Sequence, residues 1–150
     1  MRKKPREVFL ANLLSDLVSQ YPDWQIKDHC RIEIDRQPGN LWPQADILIS
    51  MPGRRFIIEY DEDSDPGRSL VKYWPVLDDS RYAITIIEVW KGGQTVGRGY
   101  ATLAKWMGTR LMKLYPGTIY EFIERTDEPS EQITGRIARM ILGREKLLSE

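Results

Sequence analysis

The first half of the chain contains one helical and three strand-like patterns of apolar residues. From Pro5 to just before Tyr21, apolar side chains recur every three or four positions, which predicts an amphipathic first helix. Runs of β-forming residues at 31–35, 45–50 and 55–61 are separated by turn-forming residues and predict three strands. We expect these strands to form an antiparallel meander.

The second half of the chain alternates between helix and strand. Asp65 is positioned to cap a short second helix, in which Pro75 should cause a kink or an interruption. The apolar run 82–90 predicts a strand that is buried on both faces and, because it follows a helix, pairs in parallel. The remaining elements are a helix at about 100–114, a strand at 118–124 and a helix at about 130–148.

The element order α-β-β-β-α-β-α-β-α predicts an α/β fold in which a mixed sheet is flanked by helices. Helical spacing also predicts which side chains face the core. These are Leu70, Tyr73, Trp74 and Leu77 on the second helix, Leu103, Met107, Leu111 and Leu114 on the third, and Ile133, Ile137, Met140, Ile141 and Leu148 on the last.

Composition limits the class of protein. The 150 residues are 41% hydrophobic and 29% charged, which fits one globular domain spanning 1–150. No apolar run reaches the about 18 residues that suggest a membrane span, and the charged N-terminus lacks a signal-peptide pattern. We therefore expect a cytoplasmic protein without membrane contact. The single cysteine, Cys30, excludes a multi-cysteine zinc site, so oxygen atoms would be the main ligands of any metal.

Charge is balanced overall, with 22 basic and 22 acidic residues, but acidic residues are concentrated at 59–65. On the third strand, Glu59 and Asp61 project from the same face because side chains alternate along a strand. Asp46, on the preceding strand, falls opposite Glu59 to Asp61 if the two strands pair across the intervening turn. Three carboxylates at one place would repel each other, and a hard divalent cation, Mg²⁺ or Mn²⁺, would relieve that repulsion.

Three short segments in this region match a known pattern. They are Asp46 in PQADILIS, Glu59 in IIEYDE and Lys72 in SLVKYW. With the flanking α-β-β-β-α-β order, these segments resemble the PD-(D/E)XK nuclease superfamily, which has the restriction-endonuclease-like fold. The resemblance covers about residues 5–90 and leaves an added α-β-α part at the C-terminus.

Two departures from the family pattern change the expected site. Asp61 stands two residues after Glu59, where the family usually has lysine, and Pro43 precedes Asp46 by three residues rather than one. Some members of the superfamily carry the lysine on the following helix, and Lys72 lies on the predicted one. We therefore expect the catalytic lysine to be displaced to that helix, from which its ammonium group can still reach the metal site.

The resemblance implies a metal-dependent nuclease, more specifically an endonuclease, that hydrolyses phosphodiester bonds of DNA. It implies that Asp46 and Glu59 hold Mg²⁺ or Mn²⁺, with Asp61 and the main-chain carbonyl of Tyr60 as further ligands. In the same mechanism, Lys72 stabilises the charge that develops on the phosphate.

Other residues are assigned to the outer part of the site. Glu7 is the candidate for the first-helix acid that related enzymes add, although the helix dipole also explains a first-turn glutamate. Arg68, Arg98 and Lys105 are the basic residues predicted to contact nucleic acid. Because a domain of this size has little surface for reading sequence, we expect a homodimer or a subunit of a larger complex.

Three alternatives remain open. Asp46 and Glu59 stand in apolar runs, where an unpaired charge is costly, and Arg54, Arg55 or Arg81 would satisfy them through purely structural ion pairs. A catalytically silent nuclease-like domain, acting as a nucleic-acid-binding or assembly subunit, would explain the missing lysine after the glutamate. If the fold prediction fails, the chain is a generic α/β interaction protein in which Asp46 and Glu59 lie far apart.

Several conspicuous residues are predicted to be structural. His29 and Cys30 lie together at the start of a predicted strand and lack further zinc ligands. The glycine-rich stretch 91–99 lacks the GK[ST] of a phosphate-binding loop and is predicted to be a β-to-α connection. Core or interface positions, rather than base-stacking ones, are predicted for Trp42, Trp74, Trp90 and Trp106.

Overall fold

The structure, a computed structural model, describes residues 4–35, 37–62, 66–79, 81–92 and 98–149, with side chains described through Arg144. The helices are α1 (Pro5–Gln20), α2 (Arg68–Asp79), α3 (Arg98–Leu114) and α4 (Ser130–Ser149). The strands are β1 (Gln25–Arg31), β2 (Gln44–Met51), β3 (Arg54–Asp61), β4 (Ala83–Lys91) and β5 (Ile119–Arg125). A short 3-10 turn, Gly39–Leu41, precedes β2.

The five strands form one sheet in the order β1-β2-β3-β4-β5. The pairs β1–β2 and β2–β3 are antiparallel, whereas β3–β4 and β4–β5 are parallel. This arrangement confirms the predicted α/β order, the antiparallel meander and the parallel crossover into β4. Because β3, β4 and β5 run in parallel, their carboxyl ends meet at the same edge of the sheet.

Helices cover both faces of the sheet. Helices α1 and α4 pack on one face, where Leu13 and Ile137 join Phe56 and Ile58 of β3 in a fully buried cluster. Helices α2 and α3 pack on the other face, where Leu70 and Leu111 join Ile57 and Ile86. Full burial of one such aliphatic side chain contributes about 1.5–3 kcal/mol, so these two layers fix the positions of the strand ends.

Strand β1 lies earlier in the chain than the sequence predicts. The expected strand at 31–35 is wrong except at its first residue, because the hydrogen-bonded strand is Gln25–Arg31. Ile32 and Ile34 are buried on the face of the sheet that α2 and α3 cover, so their alternation reflects burial rather than strand pairing. His29 and Cys30 consequently lie near the end of β1, not at the start of a strand.

Helix α2 continues through Pro75 to Asp79, so the expected interruption at Pro75 does not occur. Proline at this position leaves the carbonyl of Val71 without its helical donor. Both residues are exposed, and water is therefore available to that carbonyl. Buried Leu70 and Tyr73 anchor the helix on the sheet, as predicted, but Trp74 is 38% exposed rather than fully inward.

Helix α3 packs mainly through small residues, and only part of its predicted inward face is buried. Its buried residues are Ala101, Ala104, Gly108 and Leu111. A Cβ atom at Gly108 would overlap the ring of Tyr120, so this glycine allows α3 to approach β5 closely. The expectation for Leu111 is confirmed, and Met107 is partly buried, but Leu103 is 45% exposed and Leu114 is 59% exposed. Most of the connection predicted at 91–99, before this helix, lies outside the described residues.

Helix α4 follows its predicted orientation where its side chains are described. Ile133, Ile137 and Ile141 are fully buried, and Met140 packs against them from a partly buried position. The side chain of Leu148 lies outside the described residues. In the described part of the chain, no helix has the length and apolar character needed to cross a membrane.

Candidate functional site

The strand register brings Asp46 to the end of β3. Ile47 pairs with Ile58 in the antiparallel ladder, which places Asp46 opposite Glu59. The backbone N–H of Tyr60 donates a hydrogen bond of 2.9 Å to Asp46 Oδ2. The structure therefore does not have the wide separation of Asp46 and Glu59 expected from a generic interaction protein.

Lys72 reaches the carboxylate cluster from helix α2. Its Nζ atom lies 2.9 Å from Glu59 Oε1, and the hydroxyl of Tyr73 donates to the same oxygen. The Glu59 side chain is only 4% exposed, whereas the Lys72 side chain is 39% exposed, so this ion pair is buried on its carboxylate side and open to water on its ammonium side. The lysine from the following helix thus occupies a position at which it can act on a group bound to the carboxylates.

Asp61 lies beside Glu59 at the edge of the sheet and is held by the start of α2. The hydroxyl of Ser69 donates a hydrogen bond of 2.8 Å to Asp61 Oδ2. Glu62, the next residue, points to a more exposed ion pair with Lys91 at 3.7 Å. The neighbouring acids at 63 and 65, including the proposed helix cap, lie outside the described residues.

Glu88 is a fourth carboxyl group, which the sequence patterns did not predict as part of the site. It pairs in register with Glu59 across the parallel strands and is fully buried. The hydroxyl of Tyr120 donates to Glu88 Oε2 at 2.7 Å, whereas Oε1 has no hydrogen-bond partner within the described part of the chain. A signal was present in the sequence, because a charged residue inside the apolar run ITIIEVW is as costly as Asp46 in its own strand.

Burial makes this cluster electrostatically unfavourable as a set of anions. Burial raises the pKa of Glu88 to about 9; the hydrogen bond from Tyr120 opposes this rise, and the nearby charge of Asp61 adds to it. Burial also raises the pKa of Glu59 to about 8, with Asp46 adding to the rise and Lys72 opposing it. The pKa of Asp61 is raised by burial in spite of its bond from a serine hydroxyl. A bound cation would relieve this excess of negative charge.

Asp46 has an arginine partner, but not one of those proposed from the sequence. Arg6 of helix α1 donates to both carboxylate oxygens of Asp46 at 2.9 Å. Arg55 instead donates to backbone carbonyls of its own hairpin, and Arg81 pairs with an exposed aspartate at 3.2 Å. Two guanidinium nitrogens of Arg54, Nε and Nη1, are buried without a hydrogen-bond partner among the described atoms.

The oxygen donors of the site fit a hard divalent cation in their chemistry. In the conformation described, however, no three acidic, histidine or cysteine side chains of the described residues are arranged to hold a metal ion. Their oxygens are turned toward Arg6, Lys72, Ser69 and Tyr120 instead. Glu88 Oε1 is the carboxyl oxygen of this cluster that is buried without a hydrogen-bond partner among the described residues.

A cavity of about 340 Å³ opens next to Asp46. Arg6, Glu7 and His29 are among the residues that line it. Glu7 Oε2 accepts a hydrogen bond of 3.2 Å from the backbone N–H of Lys4 at the start of α1. The predicted first-helix acid therefore faces the same cavity as Asp46, while its carboxylate is engaged at the helix terminus.

The predicted nucleic-acid contacts lie on the two helices that cover the Lys72 side of the sheet. Arg68 begins α2 and is exposed. Arg98 begins α3 and forms an ion pair of 2.6 Å with Glu124. Lys105, about two turns further along, is exposed and lies 5.1 Å above the ring of Phe122. These groups border the carboxylate end of the sheet but do not enter the cluster itself.

Comparison with known proteins gives no functional assignment. No family model matches the chain, and no curated protein matches it. Among solved structures, a protein of unknown function, AF1548, is similar over 85% of this chain at 10% sequence identity, with a TM-score of 0.41. The chain spans 64% of the length of that protein.

Proposed function

We propose that this chain is a metal-dependent nuclease that hydrolyses phosphodiester bonds of DNA. The observation that supports this proposal is the ion pair between Lys72 Nζ and Glu59 Oε1 at 2.9 Å, in a cluster with Asp46 and Asp61. The resemblance to PD-(D/E)XK nucleases requires a cation beside the carboxylates, and α2 supplies one where the usual lysine position holds Asp61.

In this mechanism, Asp46, Glu59, Asp61 and the carbonyl of Tyr60 would hold Mg²⁺ or Mn²⁺. Such an ion, when bound, lowers the pKa of a water molecule and neutralises negative charge on the phosphate. Lys72 donates hydrogen bonds to the oxygen on which charge develops, and Tyr73 keeps Glu59 oriented toward the site. Arg6 pairs with Asp46 in the absence of the ion, and with Asp46 holding the ion it would be available to bind a phosphate oxygen.

The proposal is tested by cleavage of supercoiled and linear DNA in Mg²⁺, Mn²⁺ or EDTA. Glu59→Gln and Lys72→Ala should each reduce metal-dependent cleavage by about a hundredfold or more. Arg81→Ala removes one positive charge at the other end of the sheet and should leave the rate unchanged. Cleavage that persists in EDTA, or that is equal in all four proteins, would contradict the proposal.

A second candidate function is a silent nuclease-like domain that serves as a binding or assembly subunit. It is favoured by the pairing of Asp46 with Arg6 and of Glu59 with Lys72, which satisfies both anions without a metal. Titration calorimetry with Mn²⁺ separates the two functions. An active site should give binding heat that is lost in Asp46→Asn, whereas a silent domain should give no such heat in either protein.

We expect the chain to form a homodimer, or a complex with a partner, under either candidate function. A nuclease that cuts both strands of a duplex needs two sites, and a small recognition surface is extended most simply by a second subunit. Light scattering at several protein concentrations, with and without DNA, measures this directly. A mass of one chain, 17.5 kDa, under all conditions would contradict the dimer.

A further inference from the structure

The outer side of helix α3 exposes a row of apolar and basic residues. We define the α3 ridge as Leu103, Trp106, Arg110 and Lys113, which follow one another at intervals of three and four residues and so share one face. All four are exposed, Trp106 by 56% and Leu103 by 45%. The ridge lies opposite the small residues through which α3 packs on the sheet.

Trp106 is held in place although it is not buried. The guanidinium group of Arg110, one turn further along the helix, lies 5.2 Å from the centre of the Trp106 ring. This cation–π contact restrains the ring and keeps a positive charge next to it. More than half of the Trp106 surface still faces solvent, so the ring is available for a further stacking partner. Leu103, one turn before Trp106, is also exposed, so the two side chains form an apolar patch on this face of α3.

The charge of α3 determines which partner fits. The helix carries Arg98, Lys105, Arg110 and Lys113 and contains no aspartate or glutamate, although the whole chain has a formal net charge of zero. A twofold dimer through the ridge would bring Arg110 and Lys113 close to their own copies without a carboxylate from α3 between them. A polyanion with flat apolar groups matches both the charge and the exposed ring.

We propose that the α3 ridge binds single-stranded nucleic acid, with a base stacked on Trp106 and phosphates paired with Arg110 and Lys113. The bases of a duplex already stack on one another, whereas an unpaired base offers a free face to an aromatic side chain. Basic side chains beside the ring follow the backbone of the same strand. Trp106 is 56% exposed and is therefore not a core residue, and the proposal gives it the base-stacking role that the sequence analysis did not favour.

The helix that carries the ridge begins near the carboxylate cluster. Gly67, which precedes α2, packs against Ala104 of α3, and α2 carries Lys72. At the first residue of α3, the guanidinium of Arg98 lies 5.9 Å from the ring of Trp90, which pairs in register with Asp61. The inference rests on the proposed function, and it assigns a single-stranded segment as the part of the substrate that enters the site along α3.

Binding is measured without cleavage, by fluorescence anisotropy of labelled oligonucleotides in EDTA. A single strand should bind more tightly than the matching duplex, and Trp106→Ala should weaken single-strand binding by about tenfold. Trp106→Phe keeps a stacking ring and should retain most of the affinity. Arg110→Gln should reduce the dependence of affinity on salt, because one phosphate contact is lost.

Two control variants separate base stacking on Trp106 from a general effect of losing apolar or aromatic surface. Leu142→Ala removes a side chain that is 46% exposed on α4, over the other face of the sheet, and Tyr82→Ala removes an aromatic side chain that is 41% exposed just before β4. Both should bind like the wild type. Equal affinity for duplex and single strand with no effect of Trp106→Ala would overturn the proposal. A dimer that dissociates in Trp106→Ala and Arg110→Gln, while nucleic-acid binding is unchanged, would also overturn it.

The failure of this inference can be distinguished from failure of the proposed function. Intact single-strand binding without metal-dependent cleavage overturns the nuclease and supports the ridge. Cleavage that is unaffected by Trp106→Ala, with no single-strand binding in EDTA, supports the nuclease and overturns the ridge. DNA and RNA strands of one sequence, compared in the same assay, show whether the 2′-hydroxyl matters.

Discussion

Two neighbouring regions of the sheet bury a glutamate in different ways. Glu59 and Glu88 occupy paired positions of β3 and β4, at most 3% exposed. At Glu59, helix α2 supplies both an ammonium group and a hydroxyl group. At Glu88, the hydrogen-bond donor in the described structure is Tyr120 of the edge strand β5. The first environment partly stabilises a carboxylate, whereas the second favours the neutral acid.

Under the proposed function, this difference gives the two glutamates different roles in the cluster. In the proposed nuclease, the ammonium group beside Glu59 would act on a bound phosphate, while Glu88 in its protonated form can donate toward Asp61 and keep that carboxylate in place. A buried acid that is neutral in the metal-free protein is also poised to ionise when a cation approaches. Changes at the two glutamates should therefore affect stability and activity unequally.

The largest expected effect is on the pH dependence of stability in the metal-free protein. Because the pKa of Glu88 rises from 4.5 to about 9 on folding, the folded state keeps a proton that the unfolded state loses between these values. Stability should therefore fall as the pH rises through this window, by at most about 1.4 kcal/mol per pH unit for one proton. Glu88→Gln mimics the neutral form and should make the fall less steep in urea unfolding from pH 5 to pH 9. An unchanged slope would contradict the assignment.

The next largest effect is expected at Gly108. An added methyl group there would overlap the ring of Tyr120 and push its hydroxyl away from Glu88. Gly108→Ala should lower the free energy of unfolding by about 3 kcal/mol, near the upper end of overpacking effects. Gly143, on α4, has open space around its Cβ position, so Gly143→Ala should stabilise the protein by about 0.5–1 kcal/mol. Equal effects of the two substitutions in chemical unfolding would refute the close approach of α3 and β5.

Removal of one hydroxyl from each glutamate compares the two environments directly. Tyr120→Phe leaves Glu88 without its described donor and should cost about 2 kcal/mol of stability. Tyr73→Phe should cost only about 1 kcal/mol, because Lys72 still neutralises Glu59. Thermal and urea unfolding of both variants measure the difference, and the reverse order of costs would show that Lys72 does not compensate at Glu59.

The smallest stability effect is expected at Arg6, which is 39% exposed in its pair with Asp46. Arg6→Gln should lower the free energy of unfolding by less than about 1 kcal/mol. It should also increase Mn²⁺ binding measured by calorimetry, because Asp46 no longer has a competing cation. Arg81→Gln, in a more exposed ion pair, is the matched control and should change neither quantity. Weaker Mn²⁺ binding in Arg6→Gln would mean that Arg6 supports the ion instead.

Local patterns in the sequence predict much of the fold and part of the site. Asp46 and Glu59 are recognisable because a charge inside an apolar strand needs a partner, and the parity of the strand places Asp61 beside them. The position of Lys72 follows from the short connection into α2. Arg6 was not predicted as the partner of Asp46. The two residues are 40 positions apart in the sequence, and only the packing of α1 on the sheet brings them together.

Other differences between prediction and structure have different physical causes. Residue size predicted only part of the inward face of α3. Leu111 is buried as expected, but close packing selects Ala104 and Gly108 and leaves Leu103 exposed. The alternation of Ile32 and Ile34 predicted a strand, although it reflects burial beneath α2. In both cases, the periodicity is real, but the surface against which each segment packs is set by the rest of the fold.

The polar character of β1, which prevented its prediction from apolar alternation, has a consequence for aggregation. β1 is an edge strand with the sequence QIKDHCR, its side chains are mostly exposed, and His29 adopts a positive φ of 44°. Charged side chains and local backbone distortion on an edge strand discourage the addition of a strand from another molecule. Growth of the sheet from one copy into the next is thus disfavoured at β1.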